Sequence, residues 1–137
     1  MNIRTCLAIL TLAAGCATPG TDHLPATGAL GPYSAAVSSG DVVFLSGKIG
    51  KRGGTVAEEV KSAIDAVETD LKTLGLSLVD VLSVNVYLTD MSLYPALNAE
   101  YGQRFPQPYP ARTTVGVSSL PGGARIEIQA VAARRPR

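Results

Sequence analysis

Two charged side chains in the last third of the chain are of types that could do chemistry. Arg112 opens the segment "ARTTVGV", and Glu127 lies between two isoleucines in "RIEIQAVAA". A guanidinium can bind a carboxylate through two parallel hydrogen bonds, and a carboxyl group can accept and return a proton. The residues alone leave two other interpretations open: a structural ion pair across neighbouring strands, or two unrelated surface charges.

The segment between these two groups bears on whether they meet. "SLPGGA" is a compact turn, so the strands that carry Arg112 and Glu127 are expected to pair as a hairpin. Counted from that turn, Arg112 lies farther out than Glu127. The hairpin therefore does not by itself bring the two charges into contact.

Two helices are predicted upstream. The first begins at a capping box of Thr55 and Glu58 and ends at Gly75. "MSLYPALNAEYGQRF" predicts a second helix, with Pro95 tolerated only in its first turn. The apolar residues of the first helix recur at spacings of three and four and form one stripe: Val56, Val60, Ile64, Val67, Leu71 and Leu74.

Extended segments surround the two helices. "AVSSGDVVFLSG" predicts two strands joined by a turn, and "VLSVNVYL" predicts a strand between the helices. The predicted order β-β-α-β-α-β-β describes an α+β domain, a single mixed β-sheet with two helices packed on one face. The uncovered face carries Glu127 and Gln129 beside apolar residues, so we expect an oligomer to bury it.

Length, composition and charge exclude several classes of protein. The chain has 137 residues, a length typical of a single domain. Because 46% of the residues are hydrophobic, the chain is not expected to be disordered throughout. Twelve basic and eleven acidic residues give a net charge of +1, which indicates no basic face for nucleic acid. His23, the only histidine, has no second histidine or acidic cluster nearby, so no metal site is expected.

The N-terminal segment is expected to lie outside the folded domain. Residues 1–15 predict a signal peptide, since an apolar run too short to span a bilayer follows Arg4. "LAAGCA" resembles the lipobox of bacterial lipoproteins, although Ala13 replaces the usual larger residue, so Cys16 is the expected lipidation site. Plain secretion and a buried N-terminal strand stay open. Residues 16–30 are interpreted as a tether, whose end is left open as the first strand or the approach to it, and residues 134–137 as a solvated basic tail.

Several motifs occur in an order that resembles the Rid family, the reactive intermediate deaminases also called YjgF-like. The motifs span residues 31–133 and are "GPYSAAV", "DVVFLSGKIG", "VLSVNVYLTDMSLYPALNAEY" and "FPQPYPARTTVGVSSLPGGARIEIQAVA". The resemblance implies a YjgF/chorismate-mutase-like fold and a homotrimer whose inner sheets form a barrel. It places active sites in clefts between subunits and implies no cofactor and no metal.

The resemblance also implies an activity. Family members with the site arginine hydrolyse enamines and imines, such as 2-aminoacrylate and 2-iminobutyrate, to 2-keto acids and ammonia. Arg112 would hold the substrate's carboxylate, and Glu127 would position or deprotonate water and return a proton to the departing amine. Tyr33, Ser46, Asn98 and Thr114 would line the substrate site, although packing or capping roles stay open for the first three.

Some residues depart from the family pattern and leave substrate preference open. Thr114 stands where a cysteine is common, Lys48 where glutamine is frequent, and Gly116 where an acidic residue is common. The segment "KIGKRGGTVAEE" is also shorter than usual.

Two other functions remain open at this stage: a non-catalytic trimer that binds small carboxylates in the same cleft, and an envelope scaffold. The lipobox predicts a bacterial, lipid-anchored, periplasm-facing protein. A secreted or a cytoplasmic protein is the alternative.

Overall fold

The computed structural model describes residues 20–134. Three predictions fall on residues outside that range: the signal peptide, the lipid on Cys16 and all but the first residue of the basic tail. The strands are β1 Thr21–Pro25, β2 Ser34–Ser39, β3 Val42–Leu45, β4 Lys48–Ile49, β5 Val81–Leu88, β6 Ala111–Gly116 and β7 Ile126–Ala133. The helices are α1 Val56–Thr73 and α2 Tyr94–Arg104.

All seven strands belong to one mixed sheet. Its order is β1-β2-β3-β7-β5-β6, with β4 also paired to β7. The β5–β6 pair is parallel, whereas the other pairs are antiparallel. Residues of α1 and α2 pack with the inward-facing strand residues in a single hydrophobic core. The predicted α+β class, with two helices over one sheet, is confirmed.

The predicted hairpin between β6 and β7 is wrong. Strand β5 lies between them, parallel to β6 and antiparallel to β7. The segment that joins β6 to β7 therefore passes over the end of β5, where Thr89 N–H donates to the Arg125 carbonyl at 3.0 Å and Val117 N–H donates to the Leu88 carbonyl at 2.8 Å. Two glycines with positive φ, Gly122 and Gly123, turn the chain there.

Part of the segment interpreted as a tether is a strand. Residues Thr21–Pro25 pair antiparallel with β2, and the register shifts at Pro25. A strand at the sheet edge tolerates proline because its outer N–H groups need no partner within the sheet. His23 lies on this strand, with Nδ1 3.1 Å from Ser34 Oγ.

The local predictions for the two helices are confirmed. Thr55 and Glu58 form the capping box at the start of α1, and Gly75 follows its end with φ of 73°. The middle of the apolar stripe is fully buried, at Val60, Ile64, Val67 and Leu71. Pro95 lies in the first turn of α2. No helix among residues 20–134 is long and apolar enough to cross a membrane.

The sheet has one face toward the helices and one open face. Ile126, Ile128 and Ala130 are buried on the helix side, and their neighbours in β7 alternate to the open side. On the open face Asn85 Nδ2 donates to Gln129 Oε1 at 2.9 Å. Phe44 is 51% exposed there, so this face is half apolar, as the sequence predicts.

Candidate active site

Arg112 lies on the helix-facing side of β6 and is held by α2. Its register partner in β5 is the buried Val84, which places both on the same face. Arg112 Nη2 donates to Asn98 Oδ1 at 2.7 Å and to Tyr94 Oη at 3.2 Å. The guanidinium carbon lies 4.6 Å from the Tyr101 ring centroid and 5.6 Å from that of Tyr94. These contacts fix the guanidinium in position and orientation.

Tyr101 supports Arg112 as a neutral aromatic ring. It is 5% exposed and stacks on Phe105, with ring centroids 4.0 Å apart. Burial raises the pKa of Tyr101 to about 12, against the opposing effect of the Arg112 charge. The phenol therefore stays protonated over the pH range in which most enzymes are assayed.

Glu127 lies on the opposite face of the sheet. Its register partner in β5 is Tyr87, whereas the buried Val86 pairs with Ile128. In β4 its partner is Ile49. A Cβ atom at Gly47 would overlap the Glu127 carboxylate, so the absence of a side chain at Gly47 lets this carboxylate lie against the backbone between β3 and β4.

A buried ion pair anchors the chain just before β7. Glu59 of α1 is 1% exposed. Arg125 donates to it twice, from its backbone N–H at 2.7 Å and from Nε at 2.6 Å. This ion pair connects α1 to the residue two positions before Glu127. It therefore helps to fix the position of the backbone from which the Glu127 side chain extends.

Two of the predicted substrate residues lie with Glu127. Ser46 Oγ donates to the Ser34 carbonyl at 2.7 Å, and Tyr33 is 49% exposed. A cavity of about 400 Å³ is lined by Leu30, Gly31, Tyr33, Ser46, Gly47, Ile49, Pro121 and Glu127. We call this set of residues the glutamate half-site.

The other group lies around Arg112. A cavity of about 370 Å³ is lined by Asn98, Tyr101, Gly102, Tyr109, Pro110 and Arg112. Arg112, Asn98, Tyr94 and Tyr101 form what we call the arginine half-site. Within one subunit the two half-sites open on opposite faces of the sheet, so a single subunit does not bring Arg112 and Glu127 together.

The two departures nearest to these groups lie on the helix side of the sheet. Thr114 follows Arg112 on the same face of β6, and its Oγ1 is buried without a hydrogen-bond partner among residues 20–134. Lys48 pairs in register with Ile128 and forms an ion pair with Asp70 of α1. The Lys48 charge is therefore compensated on the face opposite to Glu127. No cluster of potential metal ligands is found in the described range.

Sequence reasoning missed Tyr94, Tyr101 and Gly47 as parts of the site. Tyr94 and Tyr101 stand four residues before and three residues after Asn98. That spacing puts all three on one side of a helix, so it could have identified them. Nothing in the sequence around Gly47 indicates its closeness to Glu127, because that contact depends on the register of β4 with β7.

Comparison with known proteins gives consistent matches in sequence and structure. A family model described as "Endoribonuclease L-PSP" matches residues 24–134. A human protein named 2-iminobutanoate/2-iminopropanoate deaminase is 39% identical over 118 residues, which cover 81% of this chain and 86% of the relative.

Two solved structures extend the comparison. RidA from an Antarctic Psychrobacter is 34% identical with a TM-score of 0.75, over 86% of this chain and 99% of the other. E. coli TdcF with bound serine is 30% identical with a TM-score of 0.74, over 80% and 94%.

Proposed function

Because this chain belongs to the endoribonuclease L-PSP family, the YjgF or Rid family that its motifs resemble, we propose that it is a hydrolytic deaminase of reactive imines and enamines. Its substrates are of the 2-aminoacrylate and 2-iminobutyrate type, and its products are 2-keto acids and ammonia. The names of its relatives support this activity. The alternative family description, an endoribonuclease, finds no support in a chain whose net charge is +1.

The observation that carries the proposal is the fixed guanidinium of Arg112 beside an open cavity. A 2-imino acid carries a carboxylate next to its reactive carbon, and Arg112 can hold that carboxylate by charge-assisted hydrogen bonds. Serine, the ligand bound by E. coli TdcF, has the same carboxylate beside a nitrogen-bearing carbon. Arg112 would therefore fix both the position and the orientation of the substrate.

Two subunits are needed to complete this site. Arg112 and Glu127 belong to opposite faces of one sheet, so the arginine half-site of one subunit would meet the glutamate half-site of the next. A homotrimer, as the family resemblance implies, repeats that contact three times around a closed ring. The half-apolar open face gives such an assembly an apolar surface to bury.

The chemistry consumes one water, and Glu127 carries a proton to the imine nitrogen twice. Glu127 takes a proton from a water as the water oxygen bonds to the imine carbon, and the electron pair of the C=N bond moves to nitrogen. Glu127 then returns the proton to that nitrogen. Glu127 next takes the proton of the new hydroxyl as the carbonyl forms, and it passes that proton to the nitrogen as the C–N bond breaks and ammonia leaves. Because imines are already electrophilic, positioning supplies most of the rate increase.

An imine hydrolysis assay tests the proposal. With 2-iminobutyrate generated enzymatically in the cuvette, the protein should speed 2-keto acid release, and Arg112→Ala should remove that increase. Arg134→Ala is the matched control, because within residues 20–134 its guanidinium donates only to the Gly40 carbonyl, at 3.4 Å. Equal rates for wild type and buffer would reject the deaminase, whereas 2-keto acid binding without turnover would favour the non-catalytic carboxylate-binding trimer.

Lipid attachment at Cys16 is a separate proposal, supported only by the sequence "LAAGCA". Cys16 would anchor the domain in the bacterial envelope, facing the periplasm. A palmitate analogue supplied to growing cells should label the wild type and not Cys16→Ala. Unlabelled wild-type protein would reject the anchor without affecting the deaminase proposal.

A further inference from the structure

Both hydrogens of Arg112 Nη2 are engaged within the subunit. The shorter bond goes to Asn98 Oδ1 at 2.7 Å, and the longer one goes to Tyr94 Oη at 3.2 Å. No other residue between 20 and 134 accepts a hydrogen bond from this guanidinium. The N–H groups of Nε and Nη1 are therefore not used by the described part of the chain.

This arrangement restricts how Arg112 can bind a carboxylate. A guanidinium presents two parallel N–H groups on only two of its edges, and both edges include an Nη2 hydrogen. A carboxylate bound by two parallel hydrogen bonds must therefore take one Nη2 hydrogen from its present acceptor. Either the Asn98 bond or the Tyr94 bond has to open.

The Tyr94 bond is the weaker of the two. It is 0.5 Å longer than the Asn98 bond, and a phenol oxygen is a poorer acceptor than an amide oxygen. The Tyr94 side chain is also 37% exposed, so its hydroxyl can move a short distance without disturbing the core. A carboxylate oxygen carries a full charge and would replace a neutral hydroxyl at Nη2.

The displaced hydroxyl would still contribute to binding. A phenol both donates and accepts, and while Tyr94 Oη accepts from Arg112, its own hydrogen has no acceptor among residues 20–134. A carboxylate oxygen at Nη2 would lie next to this hydroxyl and accept that hydrogen. The guanidinium, 5.6 Å from the Tyr94 ring centroid, keeps the ring close.

We propose that Tyr94 is a second recognition residue for the substrate's carboxylate. Its hydroxyl holds one Nη2 hydrogen of Arg112 until a carboxylate oxygen takes that place, and it then donates to the same oxygen. This rests on the proposed function, because it takes Arg112 as the carboxylate-binding group. It narrows the substrate class to imino acids with a free, ionised carboxylate and disfavours their esters and amides.

The substitution Tyr94→Phe tests the proposal, because it keeps the ring and removes only the hydroxyl. The measurements are kcat and KM for 2-iminobutyrate and the Kd of 2-oxobutanoate by calorimetry. The variant loses the hydrogen bond from the Tyr94 hydroxyl to the charged carboxylate, and it also loses the weaker competing bond from Arg112 to that hydroxyl. Because the first loss is the larger one, KM and Kd should rise about three- to tenfold. The value of kcat should stay within about twofold, because the hydroxyl does not act on the reacting carbon. Inhibition by 2-oxobutanamide should not change.

Tyr109→Phe is the matched control. Tyr109 borders the same cavity, but its hydroxyl accepts from Gln107 Nε2 at 3.2 Å and receives no hydrogen bond from Arg112. Its substitution should change the Kd of 2-oxobutanoate and the inhibition by 2-oxobutanamide by the same factor. The melting temperature of each variant checks that it folds.

Three results would overturn the proposal. An unchanged Kd in Tyr94→Phe would reject the role of Tyr94 in carboxylate recognition and would leave the proposed function standing. An equal loss for the acid and the amide assigns Tyr94 to packing around Arg112. A wild type that neither binds 2-oxobutanoate nor hydrolyses the imine rejects the proposed function itself, and that result is distinct from the first two.

Discussion

The Glu127 carboxylate has the space it occupies because one neighbouring residue, Gly47, has no side chain. The carboxylate lies where a side chain at position 47 would begin, with Glu127 Cδ only 2.7 Å from the place of a Cβ atom. The φ angle of Gly47 is not positive, so its backbone does not require glycine. Glycine is therefore needed at this position because any side chain would occupy the space of the Glu127 carboxylate, which is the proposed proton carrier.

Gly47→Ala should separate activity from stability. The new methyl group meets the end of a flexible side chain, so the Glu127 carboxylate shifts while the fold accommodates the change. We expect kcat for imine hydrolysis to fall about 10- to 100-fold, since a displacement near 1 Å costs that much in positioning. The free energy of unfolding should change by about 1 kcal/mol or less.

Kinetics and urea denaturation of the same preparation check this expectation. Gly20→Ala is the control, because no atom of the described residues 20–134 lies within 4 Å of a Cβ atom placed there. A Gly47→Ala variant with wild-type kcat would show that Glu127 does not need its present position. An unfolded variant would show that the room at Gly47 serves packing instead.

Among the secondary-structure elements, α2 and β6 act together to present Arg112. Among residues 20–134, strand β6 is at the sheet edge and pairs only with β5. Helix α2 supplies Tyr94, Asn98 and Tyr101 from one side, and it packs against α1 through the ion pairs of Arg104 with Asp65 and Glu68. An edge strand thus gains a fixed side chain because a helix rather than a second strand supports it.

The sequence predicts those features that adjacent residues determine. The capping box of Thr55 and Glu58, the end of α1 at Gly75 and the place of Pro95 all follow from local backbone chemistry, and all are confirmed. The apolar periodicity of α1 places its buried face correctly, and Glu127 and Gln129 lie on the uncovered face of the sheet as expected. Residue type and motif identified Arg112 and Glu127 as candidate groups before any element was placed.

Features that depend on strand order are not available from local patterns. The compact turn before β7 suggested a β6–β7 hairpin, yet β5 lies between the two strands. The crossover through α2 makes β5 and β6 parallel neighbours, and the next strand then joins the other side of β5. Which face each of Arg112 and Glu127 occupies follows from that order. Strand β1 was left as an open alternative within the tether for another reason, since "TDHLP" contains a single large apolar residue, Leu24.

For the whole molecule, the separation of the two half-sites is the main consequence of the fold. Arg112 and Asn98 lie on the helix side at the β6 edge, whereas Glu127 lies on the open face beside Tyr33 and Ser46. Phe44 and Val115 are exposed apolar residues on that open face. A subunit built in this way contains both proposed groups, but it does not bring them into one shared cavity.

Mixed assemblies of two inactive variants should recover activity. Arg112→Ala subunits keep the glutamate half-site, and Glu127→Gln subunits keep the arginine half-site. A mixed trimer holds two subunits of one variant and one of the other, and each cleft draws one half-site from each of two neighbours, so about one third of the clefts should be complete. Co-expression with two affinity tags, sequential purification and light scattering would isolate mixed trimers, and their imine hydrolysis rate should be about one third of the wild-type rate per subunit.

The control pairs Arg112→Ala with the double variant Arg112→Ala/Glu127→Gln, which supplies no arginine to any cleft and should stay inactive. If Arg112 and Glu127 of the same subunit formed the site, the two single variants would give no recovery when mixed. Recovery above the control therefore requires clefts that are shared between subunits. A monomer by light scattering with full activity would contradict the shared cleft directly, because the opposite faces of one sheet leave no single cavity that contains both groups.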